Sequence, residues 1–201
     1  MNLIKRPIYP QKFPFNSNYP LDHPIMGILP HPMQYRAIGI VEGKYQPLEN
    51  TLTKGVIIIS DNQIFDSVLL GKTISAVKNH IDLNQVQNWV VYPHRIPETN
   101  QLHFQITGVY FPQNIDDVLP KNYFSIRGEV IYYSKKEQKV IVKICKNKTL
   151  SNKRVEFFKL ELEGKIPDNS LKHFYSFSAT VEDTKIIIKH YIDLGLIAVN
   201  F

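Results

Sequence analysis

From Tyr35 onward the chain is built of short β-branched and aromatic runs, broken at close intervals by Gly, Asn, Asp and Pro. Such runs predict strands and turns. The first three strands fall over residues 35–45, 54–60 and 63–70, the last two joined through Ser60-Asp61-Asn62, whose side chains favour a turn. Residues 73–81 differ, because Ile74, Val77 and Ile81 stand three and four apart and predict a short helix with a narrow apolar stripe. Strands resume over 88–94 and 102–111, on either side of the hairpin loop Pro97-Glu98-Thr99-Asn100.

A boundary is expected within residues 112–121, which carry two prolines and two acidic residues. A second set of strands follows: 124–134 and 139–146 around the polar tetrad 135–138, then 155–162, then 174–181 and 185–192 around Glu182-Asp183-Thr184. Residues 164–172 contain Pro167 and are too short for a proper helix. Ahead of all this, Pro7, Pro10, Pro14, Pro20, Pro24, Pro30 and Pro32 forbid a helix over residues 1–34. The apolar residues between them, Ile25 and Phe13 among them, favour an arm that docks over one that floats. The expected organisation is therefore an arm (1–34), a first barrel (35–114) and a second barrel (115–201).

Each set has five strands. Each opens on a long strand containing glycine, Ala37-Ile38-Gly39-Ile40-Val41 in one and Ile126-Arg127-Gly128-Glu129-Val130 in the other, and each closes on a hairpin. This pattern over residues 35–192 resembles two tandem OB-folds, small five-stranded Greek-key barrels, with the helix of the second copy replaced by residues 164–172. SH3-like and other small β-barrels are the structural alternatives. The resemblance implies oligonucleotide binding, although fold alone does not settle function.

Composition is that of a globular chain, with 43% hydrophobic and 21% charged residues, which excludes wholesale disorder. Net charge is +6. The excess concentrates in Lys135, Lys136, Lys139, Lys143, Lys146, Lys148, Lys153 and Arg154, opposed in that stretch only by Glu137. Strand alternation turns Val140, Val142 and Ile144 inward with Phe158, Leu160 and Leu162, and turns Lys139, Lys143, Phe157 and Lys159 outward with Arg127, Glu129, Tyr133 and Glu161. With the loop residues Lys148, Lys153 and Arg154, the expected face is Arg127, Tyr133, Lys139, Lys143, Phe157 and Lys159. Basic groups neutralise phosphates and aromatic rings stack unpaired bases, so single-stranded DNA or RNA is the partner such a face suits. A solvated, lysine-rich sheet whose charges guard an edge would show the same pattern.

In the first copy, Trp89, Tyr92, His94, Arg95, His103 and Phe104 gather with little positive charge, and a packing role is expected. The single cysteine, Cys145, excludes an internal disulfide, and no histidine pair has metal-ligand spacing. No catalytic signature, phosphate-binding glycine loop or membrane-length apolar run is present. The expectation is a cytosolic, non-enzymatic binding protein without metal or cofactor and without membrane association. The alternative is an assembly subunit that meets a protein partner through the arm and the apolar tail at residues 194–199.

Overall fold

The computed structural model describes Ile25 and residues 31–61, 63–112, 120–146 and 156–197. The strands are β1 (Arg36–Leu48), β2 (Thr51–Ser60), β3 (Gln63–Leu69), β4 (Gln87–Arg95), β5 (Leu102–Val109), β6 (Tyr123–Ser134), β7 (Lys139–Cys145), β8 (Phe157–Glu163), β9 (His173–Glu182) and β10 (Lys185–Leu196). The helix α1 (Lys72–Asn79) lies between β3 and β4. These elements follow the hydrophobic pattern closely, and the helix buries Val77 as its stripe requires.

Hydrogen bonding runs β2-β3-β5-β4-β1 and continues β6-β7-β8-β10-β9, with β1 also paired to β2 and β6 to β9. Each set of five thus closes on its own first strand. Within each, the third strand meets the fifth in parallel, β3 with β5 and β8 with β10, and the other neighbours are antiparallel. Closure removes the free edges on which sheets aggregate.

The two barrels are joined through their first strands. β1 and β6 pair antiparallel from Arg36 with Arg127 to Ile40 with Tyr123. Each strand then leaves the other and turns onto the second strand of its own barrel. Over the joined stretch both faces are covered, so Ala37–Val41 and Tyr123–Ile126 are buried continuously instead of alternately. Ala37, Val41, Phe124 and Ile126 enter one core shared by both barrels, whereas Ile38, Ile40 and Tyr123 pack with Val90 and Ile25 in a smaller cluster on the other side. The arm contributes Ile25, which is fully buried there.

Glycine makes the junction possible. A Cβ on Gly39 would sit 2.4 Å from the ring of Phe124, its partner across the junction. The repeat read from sequence had matched Gly39 with Gly128, but Gly128 corresponds in place to Gly43. Both lie where the first strand turns onto the second, pressed on a second-strand carbonyl, Ile58 O for Gly43 and Lys143 O for Gly128. Gly39 serves the barrel–barrel contact instead.

In the first barrel Trp89 and Tyr45 are buried edge to face, and the indole N–H donates to Gly43 O at 3.0 Å. In the second, the irregular residues 164–172 do the work of the missing helix by burying Ile166 and Ser170. The Ser170 hydroxyl lies 2.7 Å from that of Tyr175, which donates to Asp193, and Asp193 also holds His173 at 2.7 Å. The tail at 194–199, read as a docking element, is strand up to Leu196, which pairs with His173. Its last residues lie outside the described ones.

Because the barrels share a core and a sheet, they should unfold together. Gly39→Ala forces Phe124 to move, and overpacking of this kind costs about 1–3 kcal/mol. Urea unfolding should show that loss equally by Trp89 fluorescence, which reports the first barrel, and by amide exchange in β9 and β10. A loss confined to one barrel would contradict the shared body.

Candidate nucleic-acid interface

The outer face of the second barrel is organised by cross-strand register. Glu129 faces Lys143, and Lys143 faces Lys159; Tyr132 faces Ile141, and Ile141 faces Glu161; Lys139 faces Glu163; Cys145 faces Phe157. Residues directly opposite share a side of the sheet. Lys139, Lys143, Phe157 and Lys159 therefore do stand together on the outer surface, as the alternation had it.

Tyr133 does not. A bulge between Val130 and Tyr132 shifts the register by one residue, so Tyr133 pairs with Val140 on the inner side and packs on the core, its hydroxyl accepting from Ile166 N at 3.4 Å. One extra residue in a strand exchanges its two faces beyond that point. Tyr132, 44% exposed, takes the outward place.

Arg127 lies on the expected side but is committed to the protein. Its guanidinium donates to Ser176 Oγ at 2.9 Å, to Gln34 O at 3.3 Å and to Pro32 O. Burial, and then the like charge of Arg36, push it down to about 10. Arg36 likewise donates to Ile25 O. The two arginines face each other at the junction and bind carbonyls of the arm segment, so they fasten the arm there. Lys148, Lys153 and Arg154 lie outside the described residues.

The lysines are less available than their number implies. Lys139 pairs with Glu161 at 2.7 Å, Lys143 with Glu129 at 3.1 Å and Lys185 with Glu163 at 2.6 Å. Burial alone would push the Glu161 carboxyl up, yet Lys139, Arg95 and Asn100 together hold it below the usual carboxylate range. The cluster open to a ligand narrows to the end of β7 and β8. There the Lys143 ammonium lies 5.4 Å from the ring centre of Phe157, which is 51% exposed, and Lys159 is exposed with no ion pair among the described residues. Lys146 continues the cluster, paired among the described residues with the exposed Glu156. Exposed pairs of this kind are screened by water, contribute little, and yield readily to a phosphate.

The first barrel meets the second along β8. β8 is tied to β10 at a single residue pair, Glu163 with Ile187, and β4 packs against it. His94 packs against Phe158 with ring centres 4.5 Å apart and the rings tilted by 41°. Burial, then His103 and Lys146, hold the His94 imidazole down at about 4, so it is neutral at physiological pH. Beside this contact opens a cleft of about 520 Å³, bordered by Tyr92, His94 and Gln105 of the first barrel, Ile144, Lys146 and Phe158 of the second, and residues 34–38. Sequence reading had placed Tyr92 and His94 in a packing group. Trp89 and Phe104 fit that role, being fully buried, but Tyr92 is 40% exposed. No local signal in the sequence marks the cleft, since its walls come from different barrels.

Among the described residues, no group of three or more His, Cys, Asp and Glu is placed to hold a metal ion. No described helix is long and apolar enough to cross a membrane.

Two Greek-key barrels of five strands, each closed through its first strand and set in tandem, define a tandem OB-fold protein. The family models agree barrel by barrel: residues 37–117 match the N-terminal OB-fold domain of PatR RNA-binding protein, and residues 126–195 match the cyanobacterial OB-fold-like RNA-binding domain, C-terminal. No curated protein matches the chain.

The depressed His94 imidazole sets a pH dependence. The unfolded chain takes up this proton near 6.5, the folded chain only near 4, so stability is full above 6.5 and falls as pH drops through that interval. His103, also held down chiefly by burial, acts in the same direction. His94→Phe should keep the ring contact with Phe158 and lose less of its urea midpoint than the parent between pH 7 and pH 5. An equal loss would mean that His94 is not the neutral group described.

Proposed function

We propose that the chain is a non-enzymatic single-stranded RNA-binding protein that holds its ligand on the outer face of β7 and β8. The observation that carries this reading is the cluster Lys143, Phe157 and Lys159, where Lys159, exposed and without an ion pair among the described residues, and Lys143, paired with Glu129, flank an exposed ring. β7 and β8 are the second and third strands of their barrel, the strands whose face receives oligonucleotides in OB-folds. RNA is favoured over DNA because both matching domain families are described as RNA-binding. Lys146 extends the track toward residues 147–155, which carry Lys148, Lys153 and Arg154. Phosphate contacts supply the affinity, and stacking on Phe157 favours single strands, whose bases are free to turn onto a ring.

Fluorescence anisotropy with labelled single-stranded RNA, the same sequence as DNA, and duplex RNA across a salt series tests the reading. Single-stranded RNA should bind best, and with about four phosphates neutralised the slope of log affinity against log salt should be about −3. Lys159→Glu and Phe157→Ala should each weaken binding about tenfold. Both side chains are exposed, so thermal melting should stay unchanged. Absence of binding to every oligonucleotide at low salt would overturn the proposal, and unchanged affinity in both variants would remove this face from it.

A further inference from the structure

The cleft between the barrels is separate from the β7–β8 face but adjoins it through Lys146, which borders the cleft and follows the last residue of β7. Its volume of about 520 Å³ falls within the roughly 300–1,000 Å³ of sites that hold small organic groups. The chemistry of its border is also that of a binding site. Tyr92 offers a half-exposed ring, and His94, neutral and packed at a tilt against Phe158, adds a second flat, uncharged surface. Gln34, another bordering residue, has a side-chain amide oxygen that is buried and lacks a hydrogen-bond donor among the described residues. A buried acceptor without a donor is destabilising, and a ligand N–H that reached it on binding would remove that penalty. Lys146 supplies a cation at the mouth for an attached phosphate.

Flat apolar surfaces, an acceptor waiting for an N–H, and a cation at the rim together describe a nucleotide. A nucleobase has two π-faces and N–H groups on its edge, and a phosphate follows it along the chain. We infer that the inter-barrel cleft is a pocket for one unstacked nucleobase of the RNA strand bound on the β7–β8 face, stacked on Tyr92 and hydrogen-bonded to Gln34. This rests on the RNA-binding reading above and adds a site that neither barrel possesses alone. The strand passes from Phe157 by way of Lys146 into the cleft, so affinity is gained at the outer face and recognition of a base edge occurs between the barrels.

The test is a thermodynamic cycle on the full chain. A labelled single-stranded RNA 12-mer is compared with copies in which one nucleotide at a time is made abasic, against the parent, Tyr92→Ala, Tyr92→Phe and Lys159→Glu. In the parent, base removal at one position should weaken binding about tenfold through loss of this pocket. That penalty should vanish in Tyr92→Ala, where the stacking partner is already gone, and persist in Tyr92→Phe, which keeps the ring. Lys159→Glu should weaken binding to intact and abasic strands alike. Gln34→Leu, which removes the acceptor, should weaken intact RNA less than tenfold and reduce the penalty at the same position only. Identical abasic profiles in the parent and Tyr92→Ala would overturn the pocket while leaving RNA binding on the outer face intact. Failure of the parent to bind any RNA would overturn both. Free AMP, CMP, GMP and UMP form a further arm: competition by a mononucleotide at micromolar concentration would assign the cleft to a free nucleotide and overturn its place on the strand.

Discussion

The antiparallel pairing of β1 with β6 is the contact on which the rest of the molecule depends. Backbone hydrogen bonds from Arg36–Arg127 to Ile40–Tyr123 make one sheet of two barrels. The approach this requires is close, and Gly39 admits it because any Cβ there would strike the Phe124 ring. From that pairing follow the double-sided burial of Ala37–Val41, the shared core, and the meeting of β4 with the sparsely paired edge of β8. The arm is part of the same construction. Ile25 fills the second apolar cluster, and Arg36 and Arg127 bind carbonyls of the arm segment, so two partly buried cations that face each other are compensated by oriented dipoles.

The electrostatics of the second barrel show how register converts a linear charge run into a surface. Along the chain, Lys139 and Lys143 sit in a stretch nearly free of acid. In the folded protein their neighbours are Glu129 from β6 and Glu161 from β8, strands that the run itself does not include. A cation paired on its own sheet contributes little to steering an anion, so the effective basic surface contracts to the end where Phe157 and Lys159 stand. That end adjoins the barrel–barrel contact, which sets the outer face of β7 and β8 beside the inter-barrel cleft.

Among the described residues, ten strands, one helix and the inward set Val140, Val142, Ile144, Leu160 and Leu162 were legible from alternation and turn residues alone. Those signals are local, because a strand's two faces differ in polarity wherever one of them meets a core. Lys139, Lys143, Phe157 and Lys159 were placed outward correctly on the same basis. Tyr133 was not, because the bulge after Val130 adds a residue without changing the sequence pattern, and the face reverses beyond it. Arg127 was legible as an outward residue, but its engagement with Pro32, Gln34 and Ser176 spans separations no local pattern reports.

By itself, then, the sequence determined the elements, their inner faces, the division into two five-stranded sets and the place of the positive charge, since each of these follows from neighbours within a few residues. Only the tertiary structure decided that Gly39 serves the junction, that Glu129 and Glu161 answer the lysines, and that Tyr92, His94 and Gln34 share a cleft with Lys146 and Phe158. Each of these joins groups far apart in the chain, and strand register together with the docking of one barrel on the other is what brings such groups within a few ångströms.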